Sequence, residues 1–174
     1  MENKDYTVEI LEIIRSNTSP GIMRNRLEDY HANDLAEVFP QLKVSERRKI
    51  CRILDLDMLS DIFEHIDEQE AAEYLDEMDI KKAAAILSAM ETDAVVDVLQ
   101  MIPKEKKNLL IELMDDDARK DMAIIASFDE DEIGSRMTTN CIMIRENLTV
   151  KQAMSSLVEQ AAKNDNISTL FMVT

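Results

Sequence analysis

The sequence predicts a mainly α protein, in which a right-handed superhelix of short paired helices is followed by an incomplete α/β unit. The first observation behind this prediction is a 24-residue repeat, whose four units start at Asp34, Met58, Lys82 and Lys106. The second is that the 174 residues include only two Gly and three Pro, which suits helices joined by short turns. The third is a change near Asp129 from a helical pattern to short apolar runs typical of strands.

Apolar residues at five positions of each 24-residue unit define the repeat. At the fifth, sixth, ninth, seventeenth and eighteenth positions, in that order, the four units have Val38, Ile62, Ile86 and Leu110; Phe39, Phe63, Leu87 and Ile111; Leu42, Ile66, Met90 and Met114; Ile50, Tyr74, Val98 and Met122; Cys51, Leu75, Leu99 and Ala123. A period of this length is typical of a solenoid, in which each unit buries its apolar face against its neighbours. Solenoids are mostly docking or regulatory surfaces, so the repeat disfavours an enzyme.

Each unit is expected to divide into two short helices. In the second unit the pattern predicts helices over 59–65 and 68–77, with Asp67 and Glu70 forming a capping box between them. Helices this short are marginal alone and depend on packing between units. Before the repeats, a helix over 7–15 and a second one opening at Ser19-Pro20 are predicted to form the cap of the first unit.

The C-terminal segment predicts a strand–helix–strand unit. Residues 141–144 and 169–173 have the composition of strands, and a capping-box pattern from Thr149 to Gln152 opens a helix between them. The second strand is apolar enough to require neighbours on both sides, so the last domain is expected to be incomplete. Residues 129–135 contain Gly134 and are predicted to be a hinge, which divides the chain into an N domain, 1–130, and a second domain, 131–174.

The composition excludes several classes of function. The net charge is −16 and the pI about 4.5, so the chain lacks the clustered positive charge of nucleic-acid-binding proteins and favours cations instead. Cys51 and Cys141 lie far apart without metal-ligand spacing, which fits a reducing compartment. No secretion signal and no apolar run of about 18 residues is present. Glycine-rich phosphate loops and hydrolase motifs are also missing, so no enzymatic activity is expected.

Three aspartates are candidate metal ligands. Asp93 and Asp97 are four residues apart on one predicted helix, so their carboxylates share a face, and like charges there cost a few tenths of a kcal/mol unless a cation offsets them. Mg2+ prefers such oxygen ligands. Asp61 lies in the first helix of the preceding unit, where stacking could place it on the same ridge. On spacing alone, the interpretation that all three are solvated surface residues remains open and is favoured.

Several segments resemble the cytosolic part of the MgtE family of magnesium transporters. His31-Ala32-Asn33-Asp34-Leu35-Ala36 and Glu70-Ala71-Ala72-Glu73-Tyr74-Leu75 resemble the N domain of that family, and residues 129–138 resemble its junction with the first CBS motif. Thr149-Val150, Ala153 and Leu157, followed by the strand containing Phe171-Met172-Val173, resemble the first half of a CBS motif. The resemblance covers nearly the whole chain.

This resemblance implies the cytosolic Mg2+-sensing region of a homodimeric magnesium channel at the cytoplasmic face of the cell membrane. It implies that Asp61, Asp93 and Asp97 are Mg2+ ligands, and that the CBS domains and transmembrane domain of the same full-length chain are its partners. Mg2+ shared by the N domain and the CBS domains would hold the pore closed. Two alternatives remain: a helical-repeat scaffold resembling the superhelix of the flagellar motor switch, and a CBS-linked regulator that senses adenine nucleotides.

Overall fold

The computed structural model describes residues 6–125, 141–161 and 169–173. In these ranges the chain forms α-helices, one 3-10 helix (Phe39–Gln41) and two β-strands. The elements are α1 (Thr7–Arg15), α2 (Pro20–Leu27), α3 (Ala32–Val38), α4 (Val44–Ile53), α5 (Leu56–Glu64), α6 (Glu68–Asp76), α7 (Ile80–Ala89), α8 (Thr92–Gln100), α9 (Lys104–Leu113), α10 (Asp116–Ile125), β1 (Ile142–Arg145), α11 (Val150–Ala161) and β2 (Leu170–Val173). The fold is mainly α with a small parallel sheet, which confirms the predicted class.

The helices recur with the period of the sequence repeat. Helices α3, α5, α7 and α9 begin at residues 32, 56, 80 and 104, and helices α4, α6, α8 and α10 begin at residues 44, 68, 92 and 116. Helix α2 begins at residue 20, which is 24 residues before α4, so the predicted cap is a further unit in the same register. Arg15, Thr18 and Arg26 stand at the sixth, ninth and seventeenth positions of this unit, and these polar residues conceal it in the sequence.

Corresponding helices of successive units pack on one another. Helix α1 packs on α3, α3 on α5, α5 on α7 and α7 on α9, while α6 packs on α8 and α8 on α10. The fifth repeat position is fully buried in all four predicted units. Phe39 and Phe63, from adjacent units, meet edge to edge with ring centroids 5.8 Å apart. In the last unit Ala123 is exposed, because in the described part of the chain no further unit packs against it.

Capping side chains fix the helix boundaries. Helix α5 begins three residues earlier than predicted, because Asp55 accepts the N–H of Met58 at 3.0 Å and caps the helix. Asp67 caps α6 by accepting the N–H groups of Gln69 and Glu70 at 3.0 and 3.3 Å, as the sequence indicates. The short turns before α5 and α6 therefore contain the residues that cap these helices.

Arg47 connects two units through a polar network beneath the surface. Its Nε donates to Glu77 Oε2 at 2.9 Å, and a second guanidinium nitrogen pairs with Glu77 Oε1. The same guanidinium lies 4.4 Å from the centroid of the Tyr74 ring and donates to the carbonyls of Phe39 and Leu42. Helix α4 is thereby tied to the turn after α6.

The C-terminal segment forms the predicted strand–helix–strand unit. Strands β1 and β2 are parallel, with Ile142 opposite Leu170, and α11 lies between them in sequence and packs on β1. Thr149 caps α11, because its N–H donates to Gln152 Oε1 at 3.0 Å and its hydroxyl accepts the N–H of Gln152. In the described residues β2 pairs with β1 alone, and Met172 is 77% exposed. The predicted hinge at 129–135 lies outside the described residues.

Within the described ranges, none of the helices is both long and apolar enough to cross a membrane.

Candidate cation-binding face

The three predicted ligands lie on helices α5 and α8. Asp61 is in the last turns of α5 and is exposed, and Asp93 is exposed in the first turn of α8. Asp97 follows one turn later and is half-buried. Val95 and Val98 are buried in the core, and this anchors α8 with Asp93 directed to solvent. We use the name α5/α8 face for Asp61, Asp93 and Asp97 together with Glu64 and Glu91, which join the end of α5 to the start of α8.

A hydrogen bond between units brings α5 to the start of α8. Glu64 Oε1 accepts the backbone N–H of Glu91, the residue that precedes α8, at 2.7 Å. Glu64 lies one turn after Asp61, and Glu91 lies two residues before Asp93. The bond therefore joins the end of α5, which carries Asp61, to the residue before α8, which carries Asp93 and Asp97.

Glu64 is in an unfavourable environment for a charge. Burial raises the pKa of its carboxyl group, and the negative charges of Glu91 and Asp61 raise the pKa further. The hydrogen bond from the Glu91 N–H and the neighbouring His65 oppose this rise. When it is ionised, the Glu64 carboxylate adds a negative charge close to Asp61 and to the start of α8.

Cations of the protein do not neutralise the exposed ligands of this face. Among the described residues, no Lys or Arg forms an ion pair with Asp61 or Asp93. Mg2+ prefers oxygen ligands such as carboxylates, and a carboxylate outside an ion pair can supply one without displacing a protein cation. The residues therefore fit a hard divalent cation chemically.

The next unit has the same hydrogen bond between helices but fewer uncompensated negative charges. Asp117 and Asp121 stand in α10, 24 residues after Asp93 and Asp97, but Lys120 Nζ lies 2.9 Å from Asp117 Oδ1. In α7 the positions that correspond to Asp61 and Glu64 are Ala85 and Ser88. The Ser88 hydroxyl accepts the N–H of Asp115 at 3.0 Å, just as Glu64 accepts that of Glu91.

Sequence reasoning missed Glu64, although superposing the repeat units would have found it. Glu64 and Ser88 occupy the same repeat position, and only one of them is charged. Across the described residues, no group of three or more His, Cys, Asp or Glu is arranged to hold a metal ion by itself. The ligand set Asp61, Asp93 and Asp97 therefore stays a prediction.

The chain is similar in sequence to known magnesium transporters. A family model described as the MgtE intracellular N domain matches residues 30–131, a range that contains all three predicted ligands. The magnesium transporter MgtE of Thermus thermophilus is 28% identical over 176 residues, and that of Bacillus subtilis is 22% identical over 175 residues. Each alignment covers 99% of this chain but 39% of the relative, so the chain spans about two fifths of the length of these relatives.

Two solved structures share the fold. A crystal structure of the soluble part of a magnesium transporter matches with a TM-score of 0.81 and 27% identity, over 96% of this chain and 66% of that one. A crystal structure of the cytosolic domain of the Mg2+ channel MgtE in complex with ATP matches with a TM-score of 0.82 and 26% identity, over 97% of this chain and 68% of that one.

Proposed function

The chain belongs to the family of MgtE intracellular N domains, and we propose that it is the Mg2+-sensing region of a magnesium transporter at the cytoplasmic face of the cell membrane. Transport itself would be carried out by the transmembrane domain of the full-length chain. The chain described would supply the regulatory signal. The observation that carries the proposal is the α5/α8 face, where Asp61 and Asp93 lack a protein cation.

In this proposal Asp61, Asp93 and Asp97 supply part of each coordination shell. Mg2+ is bound in proteins through one or two carboxylates together with water. The CBS domains of the same full-length chain would supply the remaining carboxylates. Residues 1–130 would then be the N domain, and residues 131–174 would be a hinge followed by the first half of a CBS motif, which agrees with a family match that ends at 131.

Electrostatic repulsion provides the driving force for the response. A chain of net charge −16 repels acidic neighbouring domains when Mg2+ is scarce. Bound Mg2+ would bridge the N domain and the CBS domains and favour a compact arrangement with the pore closed. The ion shifts this equilibrium only by its difference in affinity between the two arrangements. In a homodimer, which we also propose, both subunits would respond together.

The experiment is limited proteolysis of the full-length protein at increasing Mg2+ concentrations. Millimolar Mg2+ should slow cleavage between the domains, and the Asp93→Ala/Asp97→Ala double variant should lose this protection. The control is Asp117→Ala/Asp121→Ala, which removes the same residue pair from the next unit. Equal protection of the Asp93→Ala/Asp97→Ala variant and the unsubstituted protein would reject the ligand assignment.

A nucleotide response is the second candidate function. It is favoured by the parallel strand–helix–strand unit and by the related cytosolic domain that was solved in complex with ATP. Repeating the Mg2+ titration with and without ATP tests it. In a nucleotide sensor, ATP would change the Mg2+ concentration that gives half-maximal protection from proteolysis. The scaffold alternative is less favoured, because the family match is to magnesium transporters.

A further inference from the structure

We infer that Glu64 is a positioning residue of the α5/α8 face, and that its negative charge serves cation binding rather than the fold. The inference rests on the proposed function. Glu64 would not be a ligand itself. It would act through the Glu91 N–H, holding the start of α8 against α5 while adding negative charge beside Asp61.

The fold needs a hydrogen-bond acceptor at this repeat position but not a charge. In the following unit the corresponding residue is Ser88, whose neutral hydroxyl accepts the N–H of Asp115 at 3.0 Å. Both bonds join the end of the first helix in one unit to the start of the second helix in the next. A neutral side chain therefore makes the same connection between units.

The negative charge of Glu64 is unfavourable in the absence of a cation. The residue is half-buried, and among its charged neighbours Glu91 and Asp61 disfavour its charge while His65 favours it. No Lys or Arg is ion-paired with Glu64 among the residues that the structure describes. A bound divalent cation would offset this repulsion, so the charge gains a favourable role only when the face is occupied.

Glu64 also links the two helices that carry the predicted ligands. The bond fixes Glu91, two residues before Asp93, to a residue one turn after Asp61. A negative charge close to Asp61 also attracts a divalent cation to the face. Because Gln retains the acceptor oxygen, Glu64→Gln removes the charge and keeps the bond.

The test is the Mg2+ concentration that gives half-maximal protection from proteolysis in the full-length protein, measured beside the thermal unfolding midpoint without Mg2+. Glu64→Gln should raise the Mg2+ midpoint severalfold, because it removes a negative charge from the face and keeps the bond to the Glu91 N–H. It should not lower the unfolding midpoint. Glu64→Ser introduces the residue found at this position in the next unit and should also raise the Mg2+ midpoint. It serves as the second test if Glu64→Gln folds poorly. Ser88→Ala is the matched control: it should lower the unfolding midpoint and leave the Mg2+ midpoint unchanged. Glu105→Gln, on the exposed surface of α9, controls for net charge.

The outcomes separate this inference from the proposed function. An unchanged Mg2+ midpoint in both Glu64 variants, with protection abolished in Asp93→Ala/Asp97→Ala, would overturn the role of Glu64 alone. An equal shift in Ser88→Ala or Glu105→Gln would also overturn it, because the effect would then be general. Full protection in Asp93→Ala/Asp97→Ala would instead reject the proposed ligand site.

Discussion

Replacing Arg47 by Ala should destabilise the helical stack strongly, because this side chain joins two units through several contacts. Its guanidinium forms a two-pronged pair with Glu77, lies over the Tyr74 ring and donates to the carbonyls of Phe39 and Leu42. The Arg47 and Glu77 side chains are only 12% and 20% exposed. The substitution would leave a carboxylate with little access to water and no partner.

The expected magnitude follows from this burial. Removing one partner of a buried ion pair costs about 3–5 kcal/mol. Water reaches part of Glu77, which places this pair at the lower end of the range even with the lost contact to Tyr74. The free energy of unfolding should therefore fall by about 3 kcal/mol, which corresponds to roughly 10 °C in the unfolding midpoint of a domain of this size.

Urea and thermal unfolding followed by circular dichroism at 222 nm measure the effect. Arg52→Ala is the matched control, since Arg52 lies on the same helix but is exposed, and surface substitutions usually change stability by less than about 0.5 kcal/mol. Arg47→Lys should fall between the two, because lysine keeps the charge but not the planar fork. If Arg47→Ala and Arg52→Ala lose the same stability, the network does not stabilise the stack and the reasoning is refuted.

Three further predictions concern Glu64, the core and a buried thiol. Because burial raises the pKa of Glu64, its contribution to stability is fully present below the ordinary glutamate pKa of about 4.3 and is lost as the pH rises through the raised value. Glu64→Gln should thus unfold at a higher temperature than the unsubstituted protein at pH 7, and the difference should vanish below pH ~4 in calorimetry. Leu87→Ala should cost about 3 kcal/mol in urea unfolding because Leu87 is fully buried, whereas Leu113→Ala, at a 44% exposed position, should cost less than about 1 kcal/mol. Burial raises the pKa of Cys51 to about 11, so mass spectrometry should find this thiol unlabelled by iodoacetamide at pH 7.4 until urea unfolds the protein.

The repeat made most of the fold predictable. Val38, Ile62, Ile86 and Leu110 recur every 24 residues, and all four are fully buried. The N-terminal unit is harder to recognise, because among the described residues no unit packs before it and polar residues such as Arg26 are tolerated there. The predicted start of α5 is three residues too late for a different reason, because the capping residue Asp55 precedes the apolar pattern that indicates the helix.

The candidate face was only partly predictable. The spacing of Asp93 and Asp97 places them on one side of a helix without any knowledge of the tertiary structure. The proximity of α5 to the start of α8 depends on the stacking of units, which spacing along the sequence does not reveal. Glu64 was missed for this reason, since its partner is a backbone N–H 27 residues away.

The constant register of the helix starts has a practical consequence for dissecting the protein. Deleting residues 80–103 would remove α7 and α8 as one module and leave α9 to follow Asp79, which already caps the helix after it. Helix α5 would then face α9 in place of α7, and Leu110 would take the place of Ile86 because the two residues occupy the same repeat position. Such a shortened solenoid would lose Asp93 and Asp97 while keeping the pattern of its interfaces. Deleting this one unit would therefore test whether the response to Mg2+ can be lost while the helical stack still folds.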